Sequence, residues 1–122
     1  MPRILIIDDN QDMRTVLKEI LERKDYSVET AFDGEDGMKI FRAEPADLVI
    51  TDIIMPNKEG AEVIFELFKD FPDVPVIAIS GGGQLDSKQC LEMVKNVSNV
   101  KYTLKKPFSN SELLEAVKQL VG

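Results

Sequence analysis

Ile4-Leu5-Ile6-Ile7-Asp8-Asp9-Asn10 sets two adjacent carboxylates directly behind four aliphatic residues. With Arg3 in front, the apolar run is short enough to read as a strand over Arg3 to Ile7. Behind the carboxylates, Met13, Val16, Leu17, Ile20 and Leu21 recur at helical spacing. Two more polar residues share that placement at a strand end. Asp52 closes Asp47-Leu48-Val49-Ile50-Thr51, and Lys106 follows Val100 to Leu104. In an open parallel sheet the carboxyl ends of the strands form the ligand crevice. The pattern therefore points to one acidic, metal-binding pocket with a lysine beside it.

Outward from that stretch, strand-like and helical runs alternate to the end of the chain. Ser27 to Phe32 is a weaker second strand, and a helix is expected over about Gly34 to Ala43, stopped near Pro45. Asp47 to Ile53 is nearly continuous in Leu, Val and Ile, as a strand covered on both faces requires. Gly60 to Phe71 predicts a third helix with Val63, Ile64, Leu67 and Phe68 on one face. Pro75 to Ser80 predicts the fourth strand, Asp86 to Val97 a fourth helix, and Lys101 to Leu104 the fifth strand. A Ser109-x-x-Glu112 capping box opens the last helix, which carries Leu113, Leu114, Val117, Leu120 and Val121. Five β-α units imply an α/β fold, a parallel sheet with helices on both faces. A single domain over 1–122 is expected, with no output domain in this chain.

The chain has 122 residues, 43% hydrophobic and 30% charged, enough for one domain with its own core. No apolar stretch approaches the roughly 20 residues that span a bilayer, so no membrane association is expected. One cysteine, Cys90, leaves no internal disulfide and fits a cytoplasmic location. A net charge of −7 argues against direct nucleic-acid binding, which demands clustered Lys and Arg. The absence of histidine excludes a Ser-His-Asp triad and most zinc sites. Any phosphohistidine involved must then belong to another protein.

Asp8, Asp9, Asp52, Ser80 and Lys106 fall at the ends of strands one, three, four and five. Two carboxylates about 4 Å apart repel by about 4 kcal/mol at an effective dielectric near 20. Such a cluster takes up protons or a hard cation, and oxygen donors with room for water suit Mg²⁺. Mg²⁺ would also let an anionic phosphoryl group approach. Asp52 is then a plausible nucleophile, with Lys106 and the Ser80 hydroxyl available to phosphoryl oxygens.

Four stretches together closely resemble the receiver domain of two-component response regulators. They are Ile4 to Asn10, Asp47 to Pro56 (ending Asp52-Ile53-Ile54-Met55-Pro56), Ile79-Ser80-Gly81, and Lys106-Pro107-Phe108 followed by Ser-x-x-Glu-Leu. The resemblance runs over essentially the whole chain. It implies a flavodoxin-like, doubly wound (βα)5 fold with strand order 2-1-3-4-5. It further implies that Asp52 accepts a phosphoryl group from a histidine kinase or phosphotransfer partner. Asp9 would ligate Mg²⁺ directly, Asp8 largely through water, and the Ile54 carbonyl would join Asp52 in the ligand set. The Ile53 and Gly81 amides would donate to phosphoryl oxygens alongside Ser80 and Lys106, and Lys106–Pro107 would be cis. Such a chain is a phosphoacceptor rather than an enzyme acting on other substrates. It works as a monomer or weak phosphorylation-dependent dimer, and signals to an effector or output domain. The signalling face would comprise the fourth helix, fifth strand and last helix, including Lys101, Thr103 and Lys105.

The family's switch aromatic stands three residues before the lysine, where this chain has Thr103, with Tyr102 one residue earlier. Strand alternation points Tyr102 the other way unless the strand bulges. Plainer readings compete at several positions: Asp8 or Asp9 as a helix cap, Ser80 as a turn serine, Lys105 in place of Lys106, Arg14 as a solvated helix charge. Among whole functions, the alternative is a Mg²⁺-dependent aspartate-nucleophile phosphatase. Such enzymes usually carry a second acid two residues past the first-strand nucleophile, and Asn10 stands there relative to Asp8.

Overall fold

Strand β1 (Arg3–Ile7) is an interior strand with its side chains divided between two apolar layers. The computed structural model describes residues 1–53, 60–80 and 96–122. Ile4 and Ile6 pack with Leu17 and Leu21 of α1 (Gln11–Glu22) and with Leu113 and Val117 of α4 (Asn110–Val121). Leu5 and Ile7 face the opposite layer, meeting Met38 and Phe41 of α2 (Gly34–Ala43) and Val63, Ile64 and Leu67 of α3 (Gly60–Asp70). Period-two alternation in the strand and 3.6-residue periodicity in the helices produce this sandwich.

The remaining strands are β2 (Ser27–Ala31), β3 (Leu48–Asp52), β4 (Val76–Ser80) and β5 (Val100–Lys105). All pair in parallel, in the order β2-β1-β3-β4-β5. This is the doubly wound flavodoxin-like order. Every residue of β3 and β4 is buried, whereas the edge strands β2 and β5 expose part of each run. Arg42 of α2 ties the two helices of its layer together, reaching Glu66 and Asp70 of α3 at 2.6 Å each. No helix among the described residues is long and apolar enough to cross a membrane.

Several boundaries differ from the sequence reading. β2 ends at Ala31, because Phe32 leaves the sheet and is 56% exposed. β4 starts after Pro75, which has no N–H for the ladder, and its carbonyl accepts from the Val49 amide at 3.1 Å. Val16 and Phe68, counted among apolar helix faces, are exposed at 49% and 43%. The expected helix over 86–97 falls mainly outside the described residues, and Asn96 and Val97 are in turn or bend rather than helix.

The capping box of α4 is complete. The Glu112 amide donates to Ser109 Oγ at 3.0 Å, and the Ser109 amide to Glu112 Oε1 at 3.4 Å. Losing the hydroxyl strands a helix-end N–H, which costs about 1 kcal/mol. Ser109→Ala should therefore lower the midpoint of thermal unfolding by about 4 °C, read by circular dichroism. The Lys106–Pro107 peptide just ahead of this cap is cis.

Candidate acidic site

Register builds the site. Ile7 pairs with Thr51, so the next residue of each strand, Asp8 and Asp52, lie side by side where the ladder stops. Asp52 in turn pairs with Ile79, and Ser80 with Lys105, which brings Ser80 and Lys106 to the same end of the sheet. One carboxylate oxygen from each of Asp8, Asp9 and Asp52 lies within 4.8 Å of the others. Asp8 and Asp52 are buried while Asp9 is exposed. Lys106 Nζ stands 3.3 Å from Asp52 Oδ2 and 3.5 Å from Asp8 Oδ2. Lys105 is exposed on the strand, so Lys106 is the lysine the fold brings to the carboxylates.

Burial of the Lys106 ammonium by itself favours its neutral form. The carboxylates of Asp52 and Asp8 outweigh that, and the net effect holds its pKa above the ordinary lysine range. Among the described residues, Lys106 is thus the cation paired with Asp8 and Asp52 in a cluster of three carboxylates. Asp8 Oδ2 is buried and accepts no hydrogen bond among the described residues, its charge answered by the ammonium at 3.5 Å. An anionic oxygen left in that state has capacity for a hard cation, and the donor set is all oxygen, as Mg²⁺ prefers. The residues fit that ion.

The local backbone explains why the aspartates stay available. Asn10, not Asp8 or Asp9, is the N-cap of α1, its side chain accepting from the Met13 amide at 3.0 Å. Asp8 Oδ1 accepts from the Asn10 amide at 2.9 Å, which leaves Oδ2 turned to the lysine. Arg14 corrects the sequence reading. It is half-buried rather than merely solvated, and donates to the Asp8 carbonyl at 2.6 Å. Neither periodicity nor motif spacing signals that contact. Thr51, fully buried, donates its hydroxyl to the Asp52 carbonyl at 2.9 Å, a second support that sequence reasoning missed.

The Ile53 amide was expected to face a phosphoryl group. It donates instead to the Ile79 carbonyl at 3.0 Å, because the β3–β4 ladder continues one bond past Asp52. Ile54 and Gly81 lie outside the described residues.

β5 does bulge, but ahead of the tyrosine. Val76 pairs with Val100 and Ile77 with Tyr102, so Lys101 is the extra residue. Tyr102 therefore sides with Ile77 and Leu104 on the α1/α4 layer, 37% exposed, while Thr103 sides with Ala78 on the α2/α3 layer. Ser80, two residues past Ala78, has the parity of Thr103.

The family model for the response regulator receiver domain matches residues 4–118. The chain belongs to that family. Among curated relatives, this receiver domain is 34% identical over 122 residues to hybrid signal transduction histidine kinase D of Dictyostelium discoideum, covering 98% of the chain and 8% of that protein. It is 30% identical to the transcriptional regulatory protein CpxR of Klebsiella pneumoniae, over 99% of the chain and 50% of the relative. The chain thus spans half or less of the length of these relatives. Response regulator protein TrrA of Thermotoga maritima, solved in complex with Mg²⁺-BeF, superposes with a TM-score of 0.85 at 35% identity, over 99% of this receiver domain and 100% of TrrA.

Proposed function

We propose that this receiver domain is a phosphorylation-dependent switch of a two-component phosphorelay in which Asp52 is the phosphoacceptor. The observation that carries this reading is the cluster itself: three carboxylates within 4.8 Å of one another and Lys106 at 3.3 Å from Asp52. An Asp52 carboxylate oxygen attacks the phosphorus of a phosphohistidine on a histidine kinase or phosphotransfer protein. The P–O bond forms as the P–N bond breaks, and the imidazole leaves with the electron pair. Asp8, Asp9 and Asp52 would hold Mg²⁺, which when bound neutralises charge between the carboxylates and the incoming phosphoryl group.

Lys106 exchanges part of its pairing with Asp52 for the new phosphoryl oxygens, and the Ser80 hydroxyl is drawn toward them. Thr103, of the same parity as Ser80, takes the switch position, and Tyr102 does not. The altered β5–α4 face, with Lys101, Thr103 and Lys105, is what an effector or output domain reads. Family membership favours this reading over an aspartate-nucleophile phosphatase.

Incubation with Mg²⁺ and acetyl phosphate, followed by intact mass, tests the chemistry. One phosphoryl group should add to the native chain and none to Asp52→Asn. Uptake of the group by the Asn variant, or none by either chain, would sink the assignment.

A further inference from the structure

Gly60 opens α3 with its amide donating to the Ile53 carbonyl at 2.8 Å. Its Cα is packed against the backbone of the acceptor strand. A Cβ built there would stand 1.8 Å from the Asp52 carbonyl oxygen and 2.7 Å from Ile53 Cα. We propose that Gly60 is a positioning residue for Asp52: its bare Cα sets where the end of β3, and with it the carboxylate, lies in the acidic cluster. This rests on the reading of Asp52 as phosphoacceptor and metal ligand.

The neighbours leave little room to yield. The Asp52 carbonyl accepts from Thr51 Oγ1 at 2.9 Å, and the Ile53 amide is bonded to Ile79 at 3.0 Å. β3 lies between β1 and β4 with all five residues buried, and α3 is anchored by Val63, Ile64 and Leu67, each fully buried. Real Cβ atoms essentially never approach closer than 3.0 Å, so more than an ångström must be found in the Asp52–Ile53 peptide or the first turn of α3. Displacements of that size at a reacting group cost about a hundredfold in rate. Gly37 offers a contrast. A Cβ there meets Cδ1 and Cγ1 of the fully buried Ile7, so the displacement falls on core side-chain packing rather than on the backbone that carries Asp52.

The test compares the native chain, Gly60→Ala and Gly37→Ala by thermal unfolding, Mg²⁺ affinity by calorimetry, and phosphoryl uptake from acetyl phosphate at saturating Mg²⁺. Both variants should melt lower. Only Gly60→Ala should also lose Mg²⁺ affinity, by about tenfold or more, and phosphoryl uptake, by about a hundredfold. Native-like affinity and uptake in folded Gly60→Ala, or an equal loss in Gly37→Ala, would overturn the inference. Failure of the native chain to take up phosphate would instead overturn the functional reading. If Gly60→Ala does not fold, amide exchange of the native chain decides. A Gly60 amide as protected as that of Ile50 supports the tight packing, and exchange through easy local opening refutes it.

Discussion

Lys106→Met will lower the thermal midpoint by about 10 °C in the presence of a chelator, and excess Mg²⁺ will recover most of the loss. The ammonium faces two buried carboxylates at 3.3 and 3.5 Å. Removing one partner of a buried ion pair costs about 3–5 kcal/mol. Lys106 keeps 25% of its side chain exposed, which moves the figure toward the lower end. About 2–3 kcal/mol in a domain of this size corresponds to roughly that shift. Mg²⁺ answers the same carboxylates, so it should stabilise the variant more than the native chain.

The pH profile has a definite sign. The pKa of Lys106 is raised above 10.5, so its contribution is complete below about that pH and disappears as pH climbs through the folded-state value. The stability gap between native chain and variant should be flat near neutrality and close only in strong alkali. Phosphoryl uptake should fall by about a hundredfold, the usual cost of deleting one charge-stabilising donor. A variant as stable as the native chain in chelator would show that the lysine does not hold the apo pocket together.

Asp9→Asn should act in the opposite direction. Asp9 lies within reach of two like charges, and no ion pair to it is observed among the described residues. At the cluster's spacing each repulsion approaches 4 kcal/mol at an effective dielectric near 20, and exposure screens this to about 1 kcal/mol in all. The variant should melt a few degrees higher than the native chain in chelator. Its gain on adding Mg²⁺ should largely vanish, where the native chain gains about 2.7 kcal/mol at a hundredfold excess over the dissociation constant. Differential scanning calorimetry with and without Mg²⁺ reads both effects. An Asn variant that keeps the full Mg²⁺-dependent gain would remove Asp9 from the ligand set.

The aspartates were legible because a charged residue straight after an aliphatic strand is costly to bury and rarely accidental. Lys106 was legible from its place beside Pro107 and beyond β5. Arg14 was not, since a basic residue in the first turn of a helix has the same sequence signature whether it is solvated or bonded to a carbonyl beneath it. The hydrogen bond from the Ile53 amide to Ile79 was not legible either, because motif order fixes which residues reach the strand end, not where the ladder stops.

By itself the sequence determined the alternation of strands and helices, their parallel arrangement and the polar residues at the strand ends. These follow from hydrophobic periodicity and the cost of burying charge, both local to the chain. Tertiary structure alone decided which of those residues meet. Register sets Asp8 beside Asp52, the extra residue at Lys101 turns Tyr102 away from the Ser80 layer, and the return of α3 onto β3 leaves Gly60 no room for a side chain. Each of these depends on contacts between segments distant in the chain, which no local pattern encodes.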